Sequence, residues 1–501
     1  MVRVGFVHVP HFYVQALLRA DPELAGVPLV VSDGTDANVP LVLDVSAAAA
    51  RLGLRPGLTV AQARALAPEA LVRARSPELE RSARAALEDL AALFSPRIEQ
   101  DGDAAVAFDV SDLGRLFETE LELAGAIQVS ARKLGFDARI GLARDKTTAR
   151  VAALSREGVT VVPAGREAAF LASLPVALLG PSPDMLLTLS RWGVRAIGEL
   201  ASLPKGGVAL RLGKEGARLA QVARGQADDP LVPRSEPLVF EEGCDLEWPI
   251  EDVEALLFVL KRVLDNLVQR LGCRSLATGE LTLTLTLDRS FLDAQARAGA
   301  ATDVRTVPVG SPTREVQTLL ALVRVQLESA RPVAPVTALR VRATAERTRA
   351  AQLGLFEPAG PSPDKLATLL ARLSALVGSD RVGAPALVDR HLPDAFAVHP
   401  FNPPKHVAEG RGNGIRQLAL HAFRPARPAE ARLDRGLLRT LHSDGCGGQV
   451  IAQAGPFRVR DGWWREPITR DYFDVELSDG AIYRIFHDLH ADTWHFAGCY
   501  E

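Results

Sequence analysis

Residues 280–288 read Glu-Leu-Thr-Leu-Thr-Leu-Thr-Leu-Asp, an alternation of leucine and threonine that suits a strand and little else. A side-chain period of two puts every leucine on one face and every threonine on the other. One face of that strand is therefore buried and the other polar, and the buried face needs a covering layer. The flanking sequence supplies it. Val253–Leu271 and Thr313–Ser329 carry apolar residues at helical spacing, and Val336–Ala343 alternates again as a second strand. The expected unit is β-α-β-type, with helices on the leucine side. Arg340 and Arg342 share one face of the second strand, where they either meet phosphates or stand solvated on an open sheet.

One such unit accounts for a fraction of 501 residues, so roughly three to five domains are expected. The chain opens on Val2, Val4, Phe6 and Val7, an apolar strand that Pro10 ends because it has no N–H to donate. From Phe12 the pattern turns helical, with Tyr13, Ala16 and Leu17 on one face. Residues 21–34 read as a loop and a short buried strand. In the stretch 42–63, Ala47 to Ala50 favour helix, Gly53 caps it and Pro56-Gly57 turns the chain. Residues 171–233 are helical and rich in small residues, and a loop at 230–237 separates them from the leucine–threonine unit.

A net charge of −3 gives no overall sign of nucleic-acid binding, so any such contact must be local. Cys244, Cys273, Cys446 and Cys499 are far apart, which argues against a disulfide scaffold or zinc knuckle and fits a reducing compartment. Neither a signal peptide nor a bilayer-long apolar run is visible, and a cytoplasmic location is expected.

Several stretches together resemble the Y-family translesion DNA polymerases. That family opens on a hydrophobic strand, Asp-x-Asp and an aromatic pair. Here the pair is Phe12-Tyr13, the first acid position is His8, and Pro10 stands where the second acid often sits. The family's "Y-x-A-R-x-x-G" stretch, whose Tyr and Arg hold the incoming triphosphate, falls on residues 47–53, with Ala47 and Ala50 at those two positions. The family's "D-E-x-x-L-D-V-S" becomes Ala104-Ala105-Val106-Ala107-Phe108-Asp109-Val110-Ser111. Nucleotidyl transfer by two metals needs carboxylates to hold two ions about 4 Å apart, and neither alanine nor imidazole suits Mg²⁺. Asp101, Asp103 and Asp109 lie nearby, but a shift of one residue along a strand points a side chain to the other face.

The resemblance continues. Ile140–Ala152 matches a family helix start, and it places Lys146 on a lysine that neutralises phosphate charge. Gly180-Pro181-Ser182 and Leu212–Gly225 resemble the helix-hairpin-helix of the thumb. Prolines in the first hairpin remove phosphate-gripping donors, and Lys214 in the second is a candidate DNA contact. The leucine–threonine unit resembles the little finger. Just beyond it, Gln352-Leu353-Gly354-Leu355-Phe356 has the pattern by which bacterial polymerases bind the sliding clamp. Leu355 and Phe356 would fill an apolar pocket while Gln352 and Leu353 complete the peptide.

The remaining chain lies outside the polymerase resemblance. Leu366–Val377 reads as an amphipathic helix, residues 395–416 as a Pro/Gly/Asn-rich loop and Leu418–Phe423 as a strand. The end is dense in aromatics, with Trp463, Trp464, Tyr472 and Phe473 as candidates for partner recognition or for the core of a small sheet. His487, His490 and His495 lack metal-ligand spacing.

The expected fold is α+β and multidomain, with Y-family right-hand architecture plus a C-terminal aromatic-rich β module. The resemblance implies a palm at 1–25 and 70–168, fingers at 26–69, a helical thumb at 169–232 and a little finger at 238–348. A clamp-binding tether follows at 349–363 and a partner-binding region at 364–501. It implies a non-catalytic scaffold in damage-induced, error-prone translesion synthesis, without cofactor. Its partners would be the sliding β-clamp, a RecA-like accessory protein, an error-prone DnaE-type polymerase and damaged or primed DNA. Two alternatives stay open: an active translesion polymerase with a rearranged Mg²⁺ site, and a DNA-binding structural factor without a clamp partner.

Overall fold

The computed structural model describes residues 2–34, 39–227, 229–233, 238–291, 301–347, 363–378, 380–390, 392, 395–401, 418–462 and 467–500. They form two compact units, divided after Leu376.

The apolar opening of the chain forms β1 (Val4–His8), followed by α1 (Phe12–Ala20). Next, β2 (Leu29–Ser32), β3 (Val42–Val45) and β4 (Leu71–Ala74) make a small sheet ordered β3-β2-β4, which carries the short helices α2 (Ala47–Arg51) and α3 (Val60–Leu66). Then come α4 (Pro77–Ala92), β5 (Ile98–Gln100), β6 (Ala105–Asp109), α5 (Glu120–Lys133), β7 (Arg139–Ala143), α6 (Lys146–Ser155) and β8 (Val159–Val161). The main sheet is ordered β5-β6-β1-β7-β8, so β1 lies at its centre.

That position explains why β1 reads as a continuous apolar run rather than an alternation. Val7 packs with Phe108, Leu87, Leu90 and Ile127 on the α4–α5 side, while Val4 and Phe6 face Ala149, Ala152 and Ala153 of α6. A strand buried on both faces has no polar side to show. The α6 layer sits so close that a Cβ on Gly141 would fall 2.0 Å from the Ala149 carbonyl oxygen, which only glycine permits.

Four helices follow: α7 (Glu167–Leu171), α8 (Pro183–Arg191), α9 (Ile197–Ser202) and α10 (Lys205–Ala223). They close on their own core of Leu171, Leu179, Leu189, Ile197 and Leu200, each fully buried. Burial of that kind contributes roughly 1.5–3 kcal/mol per side chain. Gly213 breaks α10 with φ 63° and ψ −157°.

The leucine–threonine strand is β10 (Leu276–Leu287). It sits in a four-stranded antiparallel sheet with β9 (Phe240–Ile250), β11 (Thr302–Thr313) and β12 (Val336–Arg347), ordered β11-β10-β12-β9. Leu281, Leu283 and Leu285 are fully buried beneath α11 (Val253–Cys273) and α12 (Val316–Ser329). The threonines face the other way. Thr282 pairs with Arg342 and Thr284 with Arg340. The two edge strands, β9 and β11, have no clear strand pattern in the sequence. Both carry proline, which edges tolerate and which hides the strand pattern. α13 (Pro363–Val377) packs Ala371 against this core, so the first unit runs past residue 364.

A buried charge cluster links α1 and α4, on the five-stranded sheet, to β9 and α11 of the four-stranded sheet's layer. Arg19 of α1 meets Glu242 of β9 at 3.3 Å, and Arg270 of α11 meets Glu242 at 3.1 Å and Asp89 of α4 at 2.8 Å. Arg274 adds a second cation on Asp89 at 2.8 Å, and the Ser82 hydroxyl bonds Glu242. The side chains of Arg19, Asp89, Glu242 and Arg270 are each 3% exposed.

In the second unit, β13 (Ala384–Leu387) and β14 (Phe396–His399) pair as a hairpin. The expected loop at 395–416 therefore contains a strand at its start, and residues 402–417 lie outside the described residues. The expected β module is a closed six-stranded barrel in sequence order. Its strands are β15 (Leu420–Asp434), β16 (Leu437–Ser443), β17 (Cys446–Asp461), β18 (Ile468–Leu477), β19 (Ile482–Asp488) and β20 (Thr493–Tyr500). Val475, Leu477, Ile485 and Phe496 are fully buried in its core. Among the described residues, no helix is long and apolar enough to cross a membrane.

Candidate functional site

The end of β1 is where the three family acid positions converge. His8 is the register partner of Ala105 on β6, and the Val9 N–H donates to the Ala104 carbonyl at 2.8 Å. Directly paired antiparallel residues hold their Cβ atoms about 4.5–5.5 Å apart, a spacing at which two carboxylates share a metal. The backbone geometry suits that chemistry and the side chains do not. A methyl group offers no donor, and an imidazole is a poor ligand for Mg²⁺, which takes oxygen.

The surroundings of His8 are cationic. Arg139 is its register partner on β7. Burial first, then the Arg139 and Arg150 guanidiniums, push His8 down to about 4 against the opposing pull of Asp101. His8 is thus neutral near pH 7. The acids proposed as substitutes are largely engaged elsewhere. Asp103 pairs with Arg84 at 2.7 Å, and Asp109 bonds Arg97 at 2.9 Å and the Ser111 N–H at 3.0 Å. Among the described residues, no group of three or more His, Cys, Asp or Glu side chains could hold a metal ion. The residues at this site do not fit Mg²⁺.

Ala47 and Ala50 lie on α2 and present only methyl groups. Ala47, Arg51, His11 and Arg139 line a cavity of about 610 Å³. His11, which lines it, is held by Asp44. His11 Nδ1 is 2.9 Å from Asp44 Oδ1, and the same carboxylate accepts the Val14 N–H in the first turn of α1 at 3.3 Å. A carboxylate at a helix start complements its dipole.

Lys146 is not brought to this site. β7 runs away from His8, and Ala143 pairs with Val4, four residues or about 13 Å down β1. Lys146 Nζ lies 2.9 Å from Glu99 and 3.1 Å from Asp229. Burial lowers its pKa, but the hydrogen bonds to Glu99 and Asp229 outweigh that and raise it. The Val232 N–H donates to Glu99 at 2.8 Å and the Thr147 hydroxyl to Asp229 at 3.0 Å. Lys146 thus ties the segment after α10 to the main sheet.

Other expected phosphate positions also carry internal carboxylates. At the start of α8, Ser182 donates its N–H (2.7 Å) and hydroxyl (2.9 Å) to Glu215, which those bonds hold below the usual carboxylate range. Arg340 donates to Glu78 at 2.7 Å. Lys214 and Arg342 are exposed. Nothing local in the sequence marks Glu99, Glu215 and Glu78 as partners of Lys146, Ser182 and Arg340.

The C-terminal aromatics divide. Tyr472 is 5% exposed and packs against Phe486 at 5.4 Å, and Phe473 packs on Trp494 at 5.6 Å. Both rings pack within the barrel. His487 stacks on Trp494 at 4.4 Å and bonds Asp492 at 2.8 Å. Trp463 and Trp464, and the clamp-type peptide Gln352, Leu353, Leu355 and Phe356, lie outside the described residues.

Comparison with known proteins gives the context for this geometry. Residues 7–154 match the model of the impB/mucB/samB family. Protein ImuB of Caulobacter vibrioides (strain NA1000 / CB15N) is 28% identical over 455 residues, covering 87% of this chain and 96% of that protein. DNA polymerase IV of Methanoculleus marisnigri is 28% identical over 55% of this chain and 78% of its own length, and that of Dehalococcoides mccartyi (strain CBDB1) is 29% identical over 47% and 61%. Among solved structures, DinB from Sulfolobus solfataricus aligns over 69% of this chain and 100% of its own at 19% identity and a TM-score of 0.41. The similarity to ImuB spans both units, while the family match takes in β1 and the positions of His8, Ala104 and Ala105; the chain is similar to ImuB over most of its length and to the impB/mucB/samB family over residues 7–154.

Proposed function

We propose that this chain is a non-catalytic polymerase homologue that serves as a scaffold and sliding-clamp adaptor in error-prone translesion synthesis after DNA damage. One observation carries the reading: the strand geometry that juxtaposes metal-binding acids is present, with His8, Ala104 and Ala105 in their places. The positive surroundings of His8 and the engagement of Asp103 and Asp109 support it.

In this reading the five-stranded sheet is the palm, the β3-β2-β4 sheet the fingers, α7–α10 the thumb and the four-stranded sheet the little finger. Gln352–Phe356 binds the β-clamp as a peptide in an apolar groove. The C-terminal region recruits a RecA-like accessory protein and an error-prone DnaE-type polymerase, which does the chemistry on damaged or primed DNA. No cofactor is required of this chain.

Primer extension with the purified protein and Mg²⁺ tests the catalytic half. No product is expected, and extension that disappears in Asp101→Ala would establish an active polymerase with a rearranged site instead. Calorimetry with the β-clamp tests the adaptor half. Leu355→Ala with Phe356→Ala should abolish binding with the fold unchanged. Salt-dependent DNA binding without clamp binding would point to a DNA-binding structural factor.

A further inference from the structure

The open face of the four-stranded sheet carries its own anion beside its cations. Arg340 and Arg342 of β12 lie between the threonines of β10 and the edge strand β9. The register sets Thr284 and Gly243 beside Arg340, and Thr282 and Glu241 beside Arg342. Asp245 stands opposite Ala338 on the same face, so the β9 edge runs Glu241, Gly243, Asp245. Gly243 is the gap in an acidic row.

Arg340 uses that gap. A Cβ on Gly243 would fall 2.8 Å from Arg340 Cγ and 2.6 Å from the Leu339 carbonyl oxygen, so the arginine stem runs over the glycine. Its guanidinium donates to Glu78 of α4 at 2.7 Å. The Glu78 side chain is 11% exposed and that of Arg340 49%. Arg342, one step along the same face, is exposed.

The carboxylate is held in place from its own side. Glu78 lies in the first turn of α4, behind the Ser76 N-cap, where the helix dipole favours a negative charge. α4 is in turn fixed to the sheet layer, because its Ser82 hydroxyl bonds Glu242 of β9 and its Asp89 takes Arg270 of α11 at 2.8 Å. Arg81, one turn along α4, also pairs with Glu78. A carboxylate and a phosphate compete for the same fork of guanidinium donors, so a phosphate can engage Arg340 fully only by displacing Glu78.

We propose that Glu78 is a built-in competitor for DNA phosphate at Arg340, an autoinhibitory contact that weakens the grip of this sheet face on a nucleic-acid backbone. The proposal rests on the little-finger reading of the sheet given above and adds its control. The pair is half-exposed, so its effect on affinity is about twofold to fivefold.

Fluorescence anisotropy with a primed DNA duplex tests it on the full-length chain, between about 50 and 200 mM salt. The unaltered protein is compared with Glu78→Gln, Arg340→Ala and the double variant. Glutamine keeps the helix start and removes the charge. Glu78→Gln should tighten binding about twofold to fivefold and steepen the slope of log affinity against log salt by about 0.9, the share of one phosphate contact. In the Arg340→Ala background the same substitution should change neither quantity. Tightening that survives Arg340→Ala overturns the proposal, since the freed Arg81 or the change in net charge would then account for it. Unchanged binding by Glu78→Gln overturns it as well, and leaves the DNA-binding reading standing. If neither the unaltered chain nor Glu78→Gln binds the duplex at the lowest salt, the little-finger reading itself fails and the competitor falls with it.

Discussion

Replacing Glu242 by glutamine tests whether the buried charge cluster joins the layers of the five-stranded and four-stranded sheets. The substitution keeps the shape and removes the charge that Arg19 and Arg270 share. Both guanidiniums stay 3% exposed, with Asp89 left as the one carboxylate near three arginines. Removing one partner of a buried pair costs about 3–5 kcal/mol, because the remaining charge is uncompensated. In urea, with a slope of about 3 kcal/mol/M, the unfolding midpoint of the first unit should fall by roughly 1–1.7 M. The pH dependence has a definite sign. Burial raises the Glu242 pKa, but Arg19 and Arg270 lower it further, so the net shift is downward. A depressed carboxyl contributes stability that is present above its unfolded value, about 4.3, and is lost as pH falls through the lower folded value. The gap between wild type and Glu242→Gln should therefore be constant from about pH 5.5 to 8 and narrow only in acid. The exposed pair Arg324–Glu254 is the control, and Glu254→Gln should stay within about 0.5 kcal/mol. If Glu242→Gln also stays within that range, the cluster is not a desolvated junction and the argument fails.

Other predictions address the site and the sheet. The His8 imidazole should titrate near 4 by NMR, and a midpoint close to 6.5 would refute the buried, cation-flanked environment. The triple variant His8→Asp, Ala104→Asp, Ala105→Glu should bind Mn²⁺ by paramagnetic resonance while the parent shows no site-specific binding, since the strand register is already suitable. Equal binding by both would place the metal elsewhere. Gly141→Ala should lower the melting temperature sharply or leave the protein insoluble, because the new Cβ meets the Ala149 carbonyl at 2.0 Å. Lys146→Met leaves Glu99 and Asp229 facing each other without their cation and should cost about 1–3 kcal/mol by chemical denaturation. A neutral outcome would mean that water serves those carboxylates equally well.

The sequence is most legible where one physical constraint acts on consecutive residues. Leu281–Leu287 announces a one-sided strand because packing sets every second residue, and the structure buries those leucines beneath α11 and α12. β1 reads as a two-sided buried strand for the same reason, and its register brings His8 to Ala105. Legibility is lost where the constraint links residues far apart. Arg19, Asp89, Glu242 and Arg270 look like four ordinary surface charges until the fold buries them together. Lys146 shows the same limit from the other side. Its local motif resembles a phosphate-binding helix start, yet β7 ends opposite Val4, about 13 Å down β1 from His8, and Lys146 beyond it is held by Glu99 and Asp229. A motif fixes what surrounds a residue within one turn of chain, whereas its electrostatic partners come from whichever strand topology places beside it. The alanines escape that ambiguity. No tertiary arrangement can give Ala104 or Ala105 a metal-binding oxygen on its side chain, so the lack of a side-chain ligand at those positions is readable from sequence in a way that an interaction at Lys146 is not.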